Sequence, residues 1–188
     1  MGKSASGKDS IYNRIIEETD LPLKKVVPYT TRPIRSGEVD GESYYFCTNE
    51  EADALEVAGK VIEMRAYHTV HGLWKYFTAD DGQMDLEKDS YVMIGTLEAY
   101  EKIRAYFGSD QVVPLYIWVE TGERLARALG RERQQEEPKY AEMCRRFLAD
   151  EEDFSEEKLA HAGIARRFEN DDRERVFREL KEFIAEQI

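Results

Sequence analysis

The chain opens on a loop of small residues, and this loop constrains the fold more than any other feature of the sequence. Gly2, Gly7 and Lys8 have the spacing of a phosphate-binding loop, with four residues between the two glycines. Small residues let successive backbone N–H groups turn toward phosphate oxygens, and a following helix adds a favourable dipole. Asp9 stands where a serine or threonine is expected, and Ser10 follows it. The spacing favours an anion-binding turn, and the alternative is a flexible Gly/Ser terminus.

Strand and helix patterns alternate along the rest of the chain. Helices are predicted over residues 10–18, 48–58, 96–107, 123–149 and 173–187, the last of them amphipathic. Thr48 and Glu51 have capping-box spacing, and Gly59 is placed to end that helix in a left-handed conformation. Strands are predicted over 25–28, 60–67, 73–77, 91–94 and 112–119, the last apolar almost throughout, as central parallel strands are. This alternation predicts an α/β fold with a mostly parallel sheet flanked by helices. Because a phosphate loop normally follows a buried strand, we expect that strand either to lie upstream of Gly2 or to leave its slot empty.

Composition limits the partners of the protein. Hydrophobic residues make up 41% of the chain, enough for a buried core. The 39 acidic and 27 basic residues give a net charge of −12, which argues against nucleic acid polymers and anionic membranes as partners. Cys47 and Cys144 suit a reducing cytoplasm, and the three histidines lack ligand spacing, so neither zinc nor an organic cofactor is expected. The acidic run 150–157 is interpreted as a solvated helix face or turn.

A second cluster lies in the segment that follows the first predicted strand. Arg32 and Arg35 are separated by two residues and stand close to glycines and to the hydroxyl of Tyr44. Guanidinium groups match the oxygens of a phosphate monoester in a bidentate manner. In an acidic protein such a pair favours an anionic ligand. The alternative is a charged hairpin in which the arginines pair with Glu38 and Asp40.

This segment matches a known signature at every expected spacing. The matching residues are Thr30, Thr31, Arg32, Arg35, Glu38, Gly41, Tyr44 and Phe46. Together with the phosphate loop, with residues 61–64 and with residues 170–172, they make the chain resemble the guanylate kinase family over essentially its whole length. The resemblance implies a fold like that of the P-loop NTPases, with a small mixed acceptor-binding subdomain and a helical lid. It implies one domain, 1–188, with the core in 1–29, 90–120 and 160–188, the acceptor subdomain in 30–80 and the lid in 121–155.

The resemblance also implies a reaction and the residues that perform it. ATP, accompanied by Mg²⁺, would pass its terminal phosphoryl group to GMP. The implied ATP-binding residues are Gly2, Lys3, Ser4, Ala5, Ser6, Gly7, Lys8, Asp9, Ser10 and Asn170, with Ser10 as the magnesium ligand. The implied GMP-binding residues are Arg32, Arg35, Tyr44, Glu63, His71 and Gly72, with Glu63 as the reader of guanine. The implied catalytic residues are Lys8, Arg32, Arg131, Arg133 and Arg146.

Some positions depart from the family, and they bear on the acceptor. The family's Tyr-Gly-[Ser/Thr] element keeps only Gly72, with His71 in the place of the tyrosine. The aspartates that the family carries in the stretch matching 91–96 are absent. Two alternatives therefore stand beside a cytoplasmic GMP kinase. One is a diverged kinase for another small phosphorylated acceptor, and the other is an inactive guanylate-kinase-like binding module.

Overall fold

The computed structural model describes residues 1–69 and 72–188, so the predicted site residue His71 lies outside the described residues. Within this described part, seven helices are present: α1 (Lys8–Glu18), α2 (Asn49–Val57), α3 (Leu97–Phe107), α4 (Thr121–Arg133), α5 (Tyr140–Asp153), α6 (Glu156–His161) and α7 (Arg173–Ala185). The strands are β1 (Leu23–Lys25), β2 (Tyr29–Thr30), β3 (Tyr45–Phe46), β4 (Val61–Thr69), β5 (Gly72–Ala79), β6 (Ser90–Val92), β7 (Ile117–Trp118) and β8 (Phe168–Glu169). The predicted α/β class is confirmed.

The chain divides into two compact units. The first consists of Met1–Leu21, Ile94–Glu101 and Val113–Ile188, and the second of Pro22–Met93 and Lys102–Val112. Strands β1 and β6, which we expected in the core segments, belong to the second unit. The predicted subdomain boundaries stay predictions, and each unit is described by itself below.

In the first unit, β7 is flanked by short backbone partners on both sides. It pairs in parallel with β8, with Ile117 opposite Phe168. On the other edge the Ile117 N–H donates to the Met1 carbonyl at 2.9 Å, and the Met1 ammonium donates to the Leu115 carbonyl at 2.7 Å. Met1 thus lies beside β7, at the position where the strand before a phosphate loop is expected. Because a ladder needs hydrogen-bonding partners along its length, the strand expected over 112–119 is reduced to two residues.

The helices of the first unit follow the predicted pattern with one correction. The apolar face of α7 is buried as expected, with Val176, Leu180 and Ile184 all in the core. The helix predicted over 123–149 is two helices, because α4 ends at Arg133 and α5 begins at Tyr140. Pro138 lies in the intervening segment, and proline lacks the N–H that a continuous helix would need.

The second unit is built on a four-stranded sheet in the order β3-β2-β5-β4. Strand β2 is parallel to β3 and antiparallel to β5, and β4 and β5, which match the strands predicted over 60–67 and 73–77, pair in antiparallel fashion. Helix α2 has the predicted capping box between Thr48 and Glu51, and Gly59 has the predicted positive φ of 69°. Strands β1 and β6 form a separate parallel pair.

The hairpin register decides which side chains share a face. Glu63 lies opposite Thr78 and Arg65 lies opposite Tyr76. Because side chains alternate between the faces of a strand, Glu63, Arg65 and Tyr67 point to one side of β4. This face carries the polar groups of the second unit's candidate site.

Among the described residues, no helix combines the length and the apolar character needed to cross a bilayer.

The core of the second unit gives a test of this packing. Phe77 is 0% exposed and packs in one cluster with Ala52 and Ala79. We expect Phe77→Ala to lower the free energy of unfolding by about 3–5 kcal/mol in urea titrations, because it removes buried apolar surface and leaves a cavity. The control Val57→Ala, at a side chain that is 90% exposed, should change it by less than about 0.5 kcal/mol. Equal effects of the two substitutions would contradict the described core.

Candidate functional site

The predicted phosphate loop is a tight turn that requires its two glycines. Its backbone takes positive φ at Ala5 (64°) and Gly7 (83°). A Cβ added at Gly2 would lie 2.6 Å from the Ile117 carbonyl oxygen, and one added at Gly7 would lie 2.4 Å from Asn170 Nδ2. Neither position has room for a side chain, and Gly7 also has a backbone conformation that glycine favours. The glycine spacing read from the sequence is therefore dictated by packing.

The loop runs directly into the start of α1. Gly7 is the N-cap residue and no side chain caps this end, so the first N–H groups of the helix are available to an anion. Lys8 begins the helix, and its Nζ donates to Asp9 Oδ2 at 3.2 Å. Ser10 lies in the same first turn with its side chain exposed. The loop, the helix terminus and the lysine thus lie together as the motif predicts.

Four charged side chains hold the first half of the loop, and we call them the loop clamp: Lys3, Arg124, Asp150 and Glu151. The Ser4 N–H donates to Asp150 Oδ2 at 2.8 Å, and Arg124 Nη1 donates to the Ser4 carbonyl at 3.2 Å. Arg124 also pairs with Glu151, and Lys3 Nζ lies 2.9 Å from Glu151 Oε2. The interpretation of 150–157 as a solvated acidic run is wrong for these two acids, because each is paired with a loop residue.

The loop clamp is largely shielded from solvent at Arg124, which strengthens the attraction between its charges. The Arg124 side chain is 1% exposed, and its guanidinium lies 3.8 Å from the Phe147 ring centroid. Burial pushes the pKa of Glu151 upward, but the hydrogen bonds and charges of Lys3 and Arg124 outweigh it, so its pKa is lowered. Sequence reasoning missed this cluster. The available signal was helical spacing, since Arg124 lies one turn before the buried Ala128.

Asn170 holds the second half of the loop. It follows β8, is buried, and its Nδ2 donates to the Ser6 carbonyl at 2.8 Å. Its backbone carbonyl accepts a hydrogen bond from Arg127 Nη2 at 2.9 Å. Asp172, two residues on, caps α7 by accepting the N–H groups of its first turn. The Asn-Asp-Asp segment therefore ties the loop to the start of the last helix, and an adenine contact of Asn170 stays a prediction.

Apart from the buried Arg124, the arginines of α4 and α5 fall into two groups. Arg127 and Arg145 form ion pairs within their own helices, with Glu123 and Glu142 respectively. The three predicted lid arginines are all exposed: Arg131, Arg133 and Arg146. They are accessible to a ligand, in contrast to the buried Arg124.

The loop clamp yields a stability prediction. Asp150→Ala leaves the Ser4 N–H without its acceptor and removes one anion beside the buried Arg124. We expect a loss of about 1–3 kcal/mol in the free energy of unfolding, measured by chemical denaturation. Glu152→Ala, at the exposed neighbouring glutamate two residues along, is the matched control and should have little effect. If Asp150→Ala is as mild as the control, the loop clamp does not hold the loop.

In the second unit, Arg32 is buried and already holds an anion. Its Nη1 and Nη2 donate to the two carboxylate oxygens of Glu38 at 2.7 and 2.5 Å. Its guanidinium carbon lies 5.0 Å from the Tyr44 ring centroid and 5.4 Å from that of Phe46. The hairpin alternative is thus correct for Glu38, whereas Asp40 accepts the Phe46 N–H instead. Arg32 is fixed in place by a carboxylate that occupies its fork.

Arg35 and Tyr44 complete this cluster. The Arg35 side chain is exposed, while its N–H donates to Glu38 Oε2 at 2.8 Å. Tyr44 is half-buried, and burial raises the pKa of its hydroxyl, so it is a neutral hydrogen-bond donor at physiological pH. The structure therefore brings Arg32 and Tyr44 together and leaves the Arg35 guanidinium open to solvent.

Glu63, the predicted reader of guanine, is enclosed. Its side chain is 0% exposed. It accepts hydrogen bonds from Thr78 Oγ1 at 3.0 Å and from Arg65 Nε and Nη2 at 3.0 and 3.2 Å. Gly72 opens β5 at the exposed end of the hairpin, with φ of 111°. Sequence reasoning missed Arg65, although the alternation of side chains along a strand places it on the same face as Glu63.

The Arg32–Glu38 pair predicts a pH dependence. The hydrogen bond from Arg32 lowers the pKa of Glu38 from 4.5 to about 2 against the effect of burial. The pair therefore stabilises the fold fully above the unfolded-state pKa, and its contribution is lost as the pH falls from about 4.5 through about 2. The free energy of unfolding of Glu38→Gln should lie below that of the unmodified chain near neutral pH, and the gap should close on acidification. Glu42→Gln, at an exposed glutamate nearby, is the control. A gap independent of pH would exclude the pair as its source.

Comparison with known proteins agrees with this architecture. The guanylate kinase family model matches residues 1–187. The guanylate kinase of Streptococcus agalactiae serotype III (strain NEM316) is 41% identical over 66 residues, covering 35% of this chain and 32% of that relative. The guanylate kinase of Mycoplasma mycoides subsp. mycoides SC is 42% identical over 62 residues, covering 33% of this chain and 21% of that relative. These matches thus span about a third or less of the curated relatives.

The fold comparison covers more of the molecule. The crystal structure of guanylate kinase from Anaplasma phagocytophilum has a TM-score of 0.66 and 20% identity, over 100% of this chain and 84% of that chain. The fold is thus that of a guanylate-kinase-like α/β protein. Because the family model extends over nearly the entire sequence, the chain belongs to the guanylate kinase family.

Proposed function

We propose that the protein transfers the terminal phosphoryl group of ATP to GMP, giving ADP and GDP. The observation that supports this most directly is the phosphate loop, with Lys8 at the uncapped start of α1. Phosphoryl transfer asks for positioning and positive charge more than for covalent chemistry. Loop N–H groups and Lys8 supply both for the ATP phosphates.

In this proposal the loop residues differ in their roles. Gly2 and Gly7 give the turn its shape, and Asn170 and the loop clamp keep it in place. The Ser4 N–H is already bonded to Asp150 and the Ser6 N–H to the Lys3 carbonyl, so the phosphates would depend on the remaining loop amides and on the first turn of α1. Asn170 is assigned as a positioning residue.

Magnesium fits the donors present at the start of α1. Mg²⁺ prefers oxygen ligands and is usually held by one or two protein groups together with substrate phosphates and water. The Ser10 hydroxyl and the Asp9 carboxylate are exposed oxygen donors beside the loop. Bound with ATP, the ion would neutralise charge on the phosphate oxygens. Within the described residues, no three His, Cys, Asp or Glu side chains form a metal-binding cluster.

The acceptor phosphate is assigned to the cluster in the second unit. Arg35 is free to approach it, Tyr44 offers a hydroxyl donor, and Arg32 is pre-oriented by Glu38. The exposed lid arginines of α4 and α5 are assigned to the phosphoryl group in flight, where guanidinium groups stabilise charge on the equatorial oxygens. We assign the enzyme to the cytoplasm, since both cysteines are free thiols and suit a reducing compartment.

A coupled assay with ATP, Mg²⁺ and GMP tests the proposal. Lys8→Ala should lower kcat by roughly a hundredfold or more, because the lysine neutralises charge that develops in the transition state. Arg35→Ala should mainly raise the KM for GMP, since it binds a phosphate present in ground and transition states alike. Arg178→Ala, on the exposed side of α7, removes one positive charge elsewhere and should leave both constants unchanged.

Other outcomes of the same assay would replace the proposal. Normal turnover by Lys8→Ala would remove the phosphate-loop assignment. Turnover of a different phosphorylated acceptor, with none of GMP, would indicate the diverged kinase. No turnover with any monophosphate, combined with retained nucleotide binding, would indicate a binding module.

A further inference from the structure

The carboxylate expected to read the acceptor base is covered by a neighbouring cation. The Glu63 side chain is 0% exposed, whereas that of Arg65 is 16% exposed. Solvent therefore reaches part of the Arg65 side chain but no part of the Glu63 side chain. The pair is held by two parallel hydrogen bonds, a geometry that is stronger than a single contact.

The hydrogen bonds already made by the pair leave free donors on Arg65 and about one free acceptor site on Glu63. A carboxylate has about four acceptor sites, and Glu63 uses three of them on Arg65 and Thr78. A guanine ring needs two acceptors at once, for its N1–H and its 2-amino group. Arg65 uses its Nε and one hydrogen of Nη2, which leaves the end-on edge formed by Nη1 and Nη2. The pair thus offers a ligand a fork of donors.

The surroundings of Arg65 suit a flat ring. Its cross-strand partner is Tyr76, and the Tyr76 ring centroid lies 5.8 Å from that of Tyr67 and 6.0 Å from that of Tyr44. The positive charge of Arg65 acts on the Tyr44 hydroxyl together with that of Arg32. Aromatic faces beside a guanidinium fork are a combination that binds nucleobases by stacking and by hydrogen bonds to their edges.

A guanidinium fork selects among bases by the acceptors on their edges. Guanine and hypoxanthine present O6 and N7, two acceptors that an arginine fork contacts in a bidentate manner. Adenine has an amino group in place of O6, so donor would face donor. The 2-amino group, which distinguishes guanine from hypoxanthine, lies on the other side of the ring and would not be read.

We infer that Arg65 contacts the O6/N7 edge of a 6-oxopurine acceptor and that Glu63 is the positioning residue that holds it. The inference rests on the proposed function, because it names the class of acceptor for the same site. It gives the site a selectivity for 6-oxopurine over 6-aminopurine monophosphates, with little discrimination between GMP and IMP.

The first experiment compares ligands on the unmodified full chain. Isothermal titration calorimetry without ATP should give dissociation constants for GMP and IMP within about threefold of each other. AMP should bind roughly ten to a hundred times more weakly, the range that one bidentate base contact supplies. A larger preference for GMP over IMP overturns the inference, because it requires an acceptor that reads the 2-amino group. Absence of binding by both 6-oxopurine nucleotides also overturns it.

The second experiment uses substitutions of the pair. Arg65→Ala should weaken GMP and IMP by roughly tenfold or more, leave AMP unchanged, and raise the KM for GMP with a smaller change in kcat. Arg65→Lys should not restore affinity, since lysine lacks the planar fork. Glu63→Gln should weaken GMP and IMP equally, because it only loosens Arg65, and Arg178→Ala is the control. Equal weakening of all three nucleotides by Arg65→Ala would instead assign Arg65 to the phosphate and overturn the inference.

The two proposals fail in different ways. If no monophosphate is phosphorylated while calorimetry still shows GMP and IMP ahead of AMP, the base contact stands and the kinase activity does not. If GMP is phosphorylated efficiently and IMP is excluded from binding, the kinase activity stands and the role of Arg65 is rejected.

Discussion

The architecture of the first unit depends on keeping a glycine-built turn rigid. A tight loop of small residues loses conformational entropy on folding and gains no core of its own, so other elements must hold it. Arg124 and Asp150 do this through the two backbone groups of Ser4, and Asn170 does it at Ser6. Because Arg124 is buried with an uncompensated Nε, the loop clamp depends on all of its charges being present together. The glycine-built turn and the packing of α4 against α5 are therefore parts of one structure.

In the second unit, arginine side chains are held in place by neighbouring groups, as the loop is in the first unit. A guanidinium on a flexible side chain loses rotamer freedom when it binds a ligand, and a pre-formed ion pair has already borne that loss. Arg32 is fixed by Glu38 and lies beside the rings of Tyr44 and Phe46. Arg65 and Glu63 stand in the same relation on β4. In a chain with a net charge of −12, each of these cations is paired with a neighbouring acid: Arg32 is buried and Arg65 is partly exposed.

Local patterns were enough to predict much of this fold. The capping box at Thr48 and the positive φ at Gly59 depend on a few neighbouring residues, and the hairpin of β4 and β5 on two alternating runs. The candidate loop and the Arg32 cluster were found for the same reason, since their residues are close in sequence. The break at Pro138 had a local signal too, and the predicted helix over 123–149 ignored it.

What the sequence did not reveal are partnerships between distant residues. Asp150 and Ser4 are 146 residues apart, and no periodicity relates them. The strand expected over 112–119 required knowledge of what lies beside it, because a ladder forms only where a neighbour supplies partners. The enclosure of Glu63 depended on how Arg65 is oriented across the hairpin. Each of these features depends on which segments lie side by side in the folded chain, and local sequence patterns do not contain that information.

If an acceptor phosphate binds at Arg32, as we propose, it exchanges with the Glu38 carboxylate that is already bound there. A newly arrived phosphate must displace a carboxylate that already satisfies the fork, so the net gain is the difference between two similar contacts. Free inorganic phosphate makes no contact beyond the Arg32 guanidinium, so we expect it to displace the Glu38 carboxylate poorly. A ligand that also offers a sugar and a ring gains further contacts, and only such a ligand has reason to open the bond. Under the proposed function, Glu38 would thus favour nucleotides over small anions at Arg32.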